Sequence, residues 1–236
     1  MNLKHLFFLA VAGTLAVACS EVNESSFTDG DGQKRLSSVS SGNDRFSTRL
    51  NSETSEWESE DAIGIYMFDT EDKNVLNDAL NVKYTTIGSG RTVNFSSTPG
   101  IAIYDMPVNF VAYYPHTTSA DVLDATAALY KVDLSEQSDG ISAHDLMWAK
   151  AANQSTESLL AGGLAFTFHH QLVLLRVNIM NENVSNVTSV TVGGMNTTAT
   201  FNLIDGTLTN MDTPKPVDLQ TSMLNLFQVQ LNLFFS

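Results

Sequence analysis

The chain has 236 residues, of which 43% are hydrophobic, so it can bury the core of one large domain or of two small ones. Acidic residues outnumber basic ones by 26 to 12, and the formal net charge of −14 argues against nucleic acid as a partner because it repels phosphate backbones. The chain has a single cysteine and therefore no internal disulfide. Stability must come from burial and backbone pairing.

Residues 1–18 have the pattern of a secretory signal peptide. Lys4 supplies a basic start, residues 6–17 are almost entirely apolar, and small Ala18 precedes the single cysteine, Cys19. The apolar run is shorter than the roughly 20 residues that cross a bilayer as a helix. The end of this run resembles the lipobox of bacterial lipoproteins. That resemblance implies lipidation of Cys19 and firm anchoring by its acyl chains. An ordinary signal peptide with an incidental cysteine is the alternative.

The segment that follows, residues 19–44, is rich in Ser, Asn, Asp, Glu and Gly. Phe27, Leu36 and Val39 are scattered apolar residues within it. Such a composition offers little apolar surface to offset the entropy lost on ordering. We therefore predict that residues 19–44 form a flexible tether between the anchor and the first domain.

Residues 45–183 contain short β patterns separated by turns. The predicted strands are Phe46–Leu50, Ala62–Phe68, Thr92–Phe95, Val108–Tyr114 and Ala128–Val132. The second of these is apolar on both faces, which is typical of a strand inside a sandwich. Ser142–Lys150 fits either a strand or a helical turn, and Ala120–Ala128 has some helical character. Strands at this spacing predict an all-β sandwich over 45–183.

The apolar pattern of Leu164–Ile179 changes its parity in mid-course. The apolar residues are Leu164, Phe166 and Phe168 on one parity and Val173, Leu175, Val177 and Ile179 on the other. The buried face of a strand cannot change parity without a bulge or a break. We therefore predict two strands joined by a kink at residues 169–172.

Residues 184–236 offer only three or four strand patterns and predict a partial second β domain. Asp205-Gly206 is the sequence of a two-residue hairpin turn. The last alternating segment carries its apolar residues at Phe227, Val229, Leu231, Leu233 and Phe235. An apolar edge strand of this kind invites pairing with another chain. A functional donor strand and a truncated domain remain equally open interpretations.

Several of these segments, in this order, resemble the fimbrillin family of Bacteroidales, the subunits and anchors of pili assembled by strand donation. They are the lipobox, Trp57 with Asp61–Tyr66, Phe110–Pro115, Asp145–Ala149 and Phe166–Leu172. The resemblance implies transthyretin-like sandwiches, export as outer-membrane lipoproteins, and removal of the first strand by an arginine-specific protease. An extended segment of the next subunit would then fill the groove. On this sequence, the removable strand would be Phe46–Leu50, and cleavage would follow Arg45 or Arg49.

The function predicted from these observations is a structural or adhesive pilus subunit, or a pilus-associated surface lipoprotein, with other pilin subunits as partners. Its location would be the outer membrane through the lipid anchor, at the cell surface or in the pilus. Family members usually have a full second sandwich, so the short second domain puts polymerisation in question. The alternative is a lipoprotein that binds glycan or host protein without polymerising. Its binding platform would be the aromatic side chains Trp57, Tyr113, Tyr114 and Trp148, although buried aromatics are the favoured interpretation.

The sequence contains no arrangement of residues that predicts catalysis. It has no GxSxG or HExxH motif, and lipidation of Cys19 would leave no thiol nucleophile. His169 and His170 are adjacent, so on a strand they point to opposite faces and do not form a metal site. We predict no enzyme activity, no metal and no cofactor.

Overall fold

The computed structural model describes residues 27–30, 33–43, 56–76, 79–135, 144–179, 189–220 and 227–233. Several predictions therefore lie outside the described residues. They concern the signal peptide, Cys19, Arg45, Arg49, the strand Phe46–Leu50 and Phe235. Within the described ranges the chain is built almost entirely of β-strands, which confirms the all-β prediction. No helix in those ranges is long and apolar enough to cross a membrane.

The described elements follow one another from the N-terminal hairpin to the C-terminal strand. They are β1 (Phe27–Gly30), β2 (Gln33–Asn43), β3 (Ala62–Phe68), β4 (Val82–Thr86), β5 (Thr92–Ala102), β6 (Val108–Tyr114), β7 (Leu123–Asp124), β8 (Leu129–Asp133), β9 (Met147–Gln154), α1 (Thr156–Gly162), β10 (Ala165–His170), β11 (Val173–Ile179), β12 (Ser189–Met195), β13 (Thr198–Asn202), β14 (Thr207–Thr209), β15 (Lys215–Gln220) and β16 (Phe227–Leu233).

The largest sheet has eight strands in the order β1-β2-β10-β9-β6-β3-β4-β5, and β2 also pairs with β5. This additional pairing joins β5, at one end of the order, to β2 beside the other end, so the sheet closes on itself with β1 outside the ring. Its enclosed face contributes side chains from seven strands to one cluster, here called the inner core. Representative members are Leu36, Ile63, Phe95, Phe110 and Phe168.

A second sheet, in the order β14-β13-β8-β7, packs on the other face of β3 and β6. The side chains between the two sheets form the outer core, which includes Tyr66, Val111, Tyr130 and Phe201. Successive residues of a strand point to opposite faces, so β3 contributes to both cores. This position between two cores explains why Ala62–Phe68 is apolar on both faces, as the sequence pattern predicted.

The packing does not follow the predicted boundary between residues 183 and 184. β13 pairs antiparallel with β8, with Thr198 opposite Asp133 and Asn202 opposite Leu129. Its Phe201 is fully buried in the outer core beside side chains of β3 and β6. Part of the predicted second domain therefore completes the packing of the first. Distant segments can share one sheet, and strand pairing between them has no local sequence pattern.

The predicted flexible tether is wrong for β1 and β2, which are paired strands. β2 lies between β5 and β10 and buries Leu36 and Val39 in the inner core. A strand paired on both edges is stabilised by backbone hydrogen bonds along its length. It can therefore be ordered although only two of its apolar residues enter the core. Mean composition does not contain this information.

Other predictions can be compared strand by strand. β3 and β6 have the predicted bounds, and residues 164–179 form two strands, β10 and β11, that break at Gln171 and Leu172. Within Ser142–Lys150, strand β9 begins at Met147. Ala120–Ala128 forms turns around β7 and no helix. The hairpin at Asp205-Gly206 is present, but its loop spans residues 203–206 because Asn202 pairs with Thr207.

The sequence patterns missed strand β4 and helix α1. α1 begins with a capping box in which the Ser155 side chain accepts from Ser158 N and the Ser158 side chain accepts from Ser155 N. Its buried Leu159 joins the inner core. The remaining two pairs, β11 with β16 and β12 with β15, form two-stranded sheets.

Candidate functional site

β2 occupies a groove between β5 and β10. It pairs antiparallel with β5 and parallel with β10. Val39 lies opposite Phe95 of β5 in antiparallel register, whereas Ser41 lies opposite Phe166 of β10 in parallel register. The Ser40 amide also donates to Leu164 O at 2.9 Å. Since β2 is the link between β5 and β10, the groove is the place where the large sheet closes.

Three side chains of β2 point into the inner core. Leu36, Val39 and Ser41 have exposed fractions of 0%, 1% and 2%. The spacing of three between the first two arises from a register shift between Leu36 and Ser38 in the pairing with β5. The groove therefore has three buried positions along its length, and the resident strand fills two of them with apolar side chains.

The Leu36 end of β2 is held by specific contacts to its carbonyl. The hydroxyl of buried Tyr84 donates to Leu36 O, and the same hydroxyl accepts from Ile101 N at 3.1 Å. Burial raises the pKa of Tyr84 far above its ordinary value, so the phenol stays protonated and able to donate. On the far side, the Arg35 guanidinium donates to Gly100 O at 3.3 Å.

Gly100 is shaped for this close approach of two backbones. Its φ of +77° is in the region that favours glycine, and a Cβ there would overlap the Leu36 carbonyl. A side chain at this position would push β2 away from β5. The groove is thus adapted to the backbone of the strand that fills it.

The inner-core wall at the other end of the groove is aromatic. Buried Trp57 packs edge to face against Phe95, Phe168 and Tyr114, with ring centroids 5.0, 5.2 and 5.3 Å away. The backbone of Trp57 exchanges two hydrogen bonds of 2.9 Å with Gly90. This packing holds the residues that follow the 44–55 segment firmly against the start of β5.

The ends of the 44–55 segment lie beside the same strand. Gly42 of β2 is opposite Thr92, and Trp57 forms its bridge with Gly90, so both flanks lie at the beginning of β5. Residues 44–55, which include Arg45 and Arg49, therefore connect two neighbouring points at one end of the closed sheet. None of the pairings described for β2 or β3 depends on the continuity of this connection.

The predicted donor residues lie on β16, apart from Phe235, which is outside the described residues. β16 pairs with β11 from Leu233 opposite Val173 to Phe227 opposite Ile179. In this register Leu175 is opposite Leu231 and Val177 is opposite Val229. β16 is therefore a paired strand within its own chain.

The four aromatic residues considered for a sugar platform do not come together. Trp57 and Tyr114 belong to the inner core or pack against it, whereas Tyr113 and Trp148 belong to or pack against the outer core. Trp148 donates from Nε1 to Leu203 O at 2.8 Å, and its ring packs against Phe201. Their positions fit the alternative interpretation, buried aromatics, and give no surface for sugar.

The two adjacent histidines of the sequence analysis lie on β10. His169 and His170 do lie on one strand, and His170 Nδ1 is 2.8 Å from Asp145 Oδ1. No group of three or more metal-binding side chains occurs in the part of the chain that the structure describes.

The sequence interpretation missed the groove itself. Leu36 and Val39 were recognised as apolar but not as buried positions of a strand, because the register shift hides the two-residue period. Tyr84 and Gly100 were also missed. The Pro99-Gly100 pair is a turn pattern, yet its backbone approaches a strand 64 residues earlier in the chain.

Comparisons with known proteins support one relationship. The family model described as fimbrillin-like matches residues 48–231. A protein of Bacteroides uniformis assigned as a fimbrium subunit, Fim1C, is 32% identical over 219 residues, which cover 87% of this chain and 67% of that protein. A crystal structure of a Bacteroides uniformis protein assigned to cell adhesion is similar, with a TM-score of 0.61 and 27% sequence identity. The match covers 87% of this chain and 75% of the chain in that structure. A similar structure from Bacteroides ovatus has a TM-score of 0.56 and 17% identity, covers 84% of this chain and 77% of its own, and shows likeness of fold.

Proposed function

Because the chain belongs to the fimbrillin-like family, we propose that it is a fimbrial subunit of the cell surface that assembles with other subunits by exchange of strand β2. The family consists of structural fimbrial proteins, so the chain is not an enzyme. The exchange would begin with cleavage in residues 44–55 and end with an extended segment of another subunit in the groove between β5 and β10. Strand addition of this kind takes its affinity from backbone hydrogen bonds and its register from alternate side chains.

The observation that carries the proposal is the position of β2. It is paired on both edges and closes the large sheet, yet of its residues 34–41 only Leu36, Val39 and Ser41 are buried. Its removal would open two strand edges, those of β5 and β10, at the same place. Two open edges that flank one groove are a template for a single incoming strand.

The proposed cleavage sites remain Arg45 and Arg49, but the strand to be removed is β2 rather than Phe46–Leu50. A cut after either arginine separates β1 and β2 from Trp57 while leaving β3 to β16 in one piece. The same cut would separate the domain from Cys19 and hence from its proposed lipid anchor in the outer membrane. Release and opening of the groove would then be one event.

The proposed donor is the segment of β16, with Phe235 beyond it. Its alternating apolar residues match the two-residue spacing of Val39 and Ser41, and the Leu36 position would require the same register shift that β2 has. Donation to another subunit would require β16 to leave β11. Paired edge strands can exchange partners when the new pairing buries comparable apolar surface.

The experiment uses the full precursor and an arginine-specific protease. We expect cleavage after Arg45 or Arg49, identified by mass spectrometry, followed by oligomers in light scattering. The matched control carries Arg45→Lys and Arg49→Lys, which keeps the charge, and should remain uncut there and monomeric. A cut protein that stays folded, keeps β2 bound and remains monomeric at high concentration would refute assembly by exchange.

A further inference from the structure

We infer that the surroundings of Ser41 in the β2 groove, here called the pocket, are better matched by an apolar side chain, and that the segment which replaces β2 places one there. The inference deepens the proposed function and rests on it. It concerns the partner of the groove: an extended segment with apolar residues at the positions of Val39 and Ser41. The segment Phe227–Leu233 of a second copy of this chain has apolar residues at this two-residue spacing.

The first step is the mismatch at the third position of β2. Leu36 and Val39 are apolar and buried, whereas Ser41 is equally buried and carries a hydroxyl. That hydroxyl has no hydrogen-bond partner among the residues that the structure describes. A buried polar group without a partner is rare in native proteins, because the water lost on burial is not replaced.

The second step is the apolar character of the pocket. Ser41 lies opposite Val93 on β5 and opposite Phe166 on β10, and both of these residues belong to the inner core. Neither side chain can accept or donate a hydrogen bond. The indole Nε1 of Trp57, in the same core, also lacks a partner within the described ranges. The surroundings of the third position therefore favour an apolar occupant.

The third step compares the resident strand with a replacement. Both strands would supply the same backbone hydrogen bonds to β5 and β10, so side chains decide between them. An apolar residue at the third position avoids the buried hydroxyl and adds contacts with Val93 and Phe166. In the segment Phe227–Leu233, every second residue is apolar: Phe227, Val229, Leu231 and Leu233. The replacement strand therefore binds the groove more tightly than β2, which makes the exchange favourable.

A first experiment tests the pocket in the uncut full chain, independently of assembly. Ser41→Val should raise the midpoint of chemical denaturation, because the variant buries methyl groups in place of the unpaired hydroxyl. The matched control is Ser40→Val on the neighbouring residue, which faces the other way and should leave the midpoint nearly unchanged. Ser41→Ala removes the hydroxyl without adding a branched side chain and should also raise the midpoint. A fall of the midpoint in both Ser41 variants would overturn the inference.

A second experiment measures exchange. Residues 44–55 of the full chain receive the recognition sequence of a site-specific protease, and the cut protein is mixed with a fluorescent peptide that has the sequence of residues 227–233. We expect the peptide to displace β2, and Ser41→Val in β2 to slow this displacement about tenfold, which corresponds to about 1.4 kcal/mol. The Ser40→Val control should exchange at the rate of the unmodified strand.

The outcomes separate the two proposals. Equal displacement from the unmodified and Ser41→Val proteins would overturn the inference about the pocket and leave strand exchange intact. Absence of displacement in every variant would count against strand exchange by this segment. In that case the denaturation midpoints of the Ser41 variants alone decide whether the pocket favours an apolar side chain.

Discussion

β2 and β3 belong to the same closed sheet, and each has paired neighbours on both edges, but they are held in different ways. β3 buries six of its seven residues and contributes to both cores. In β2, three of the residues from Lys34 to Ser41 are buried, and all three face the inner core. Side-chain burial therefore contributes less to holding β2 than to holding β3, and this difference supports the proposal that another strand replaces β2.

The largest expected effect is the loss of stability when a buried side chain of β3 is shortened, compared with the same change in β2. Ile65 of β3 is fully buried, so Ile65→Ala should lower the free energy of unfolding by about 2–5 kcal/mol in chemical denaturation. The comparison variant is Val39→Ala on β2. It should accelerate hydrogen exchange mainly at the amides of β2, because this strand can open without β3. Equal acceleration of the amides of both strands in Val39→Ala would show that β2 and β3 open together.

The next effect concerns the outer core, which covers β3 and not β2. Burial raises the pKa of Tyr130 to about 12, and it also raises the pKa values of Tyr66 and Tyr113. An unfolded tyrosine titrates near pH 10, so the unfolded chain loses protons first as the pH rises. The contribution of Tyr130 is complete below about pH 10 and falls toward pH 12 by about 2–3 kcal/mol.

Denaturation midpoints measured from pH 8 to pH 12 test this prediction. The wild-type midpoint should fall above about pH 10, and Tyr130→Phe should make that decline less steep because one titrating group is gone. Parallel pH curves for the two proteins would mean that Tyr130 does not couple folding to alkaline pH.

The smallest effect is local to β2. Gly100→Ala puts a Cβ into contact with the Leu36 carbonyl at a φ of +77°, and we expect a cost of about 1–3 kcal/mol. The cost should appear as faster hydrogen exchange in β2. The matched control is Gly88→Ala, where an added Cβ meets nothing within 4 Å. An unchanged β2 with a destabilised β3 would contradict the assignment of Gly100 to the groove.

The sequence predicts best where burial leaves a local apolar pattern. Ala62–Phe68 and Val108–Tyr114 are predicted with their observed bounds because both faces of these strands are buried and the apolar run is continuous. The parity change in Leu164–Ile179 predicts the break between β10 and β11 because alternate residues are buried in a strand such as β10. Polar or irregular strands were missed: β4 alternates only briefly, and β2 has few apolar residues.

The groove was harder to predict than the strands that line it. Gly100 and Tyr84 contact Leu36 across long sequence separations, and these contacts depend on the pairing of β2 with β5. Arg45 and Arg49 stand out by their chemistry, but the predicted strand beside them, Phe46–Leu50, lies outside the described residues, and the sequence pattern gave no sign of β2. Family resemblance suggested removal of a strand without indicating which one closes this sheet.

The amino-acid sequence alone determines the all-β fold, the buried strands at its centre and the resemblance to fimbrillins. These properties follow from periodicity and from motif order, both of which can be detected along the chain. Only the tertiary structure decided that β2 closes the sheet, that β13 completes the outer core and that Ser41 lies in an apolar pocket. Strand pairing joins residues far apart in sequence through backbone groups that every residue has, so side-chain patterns alone do not specify it.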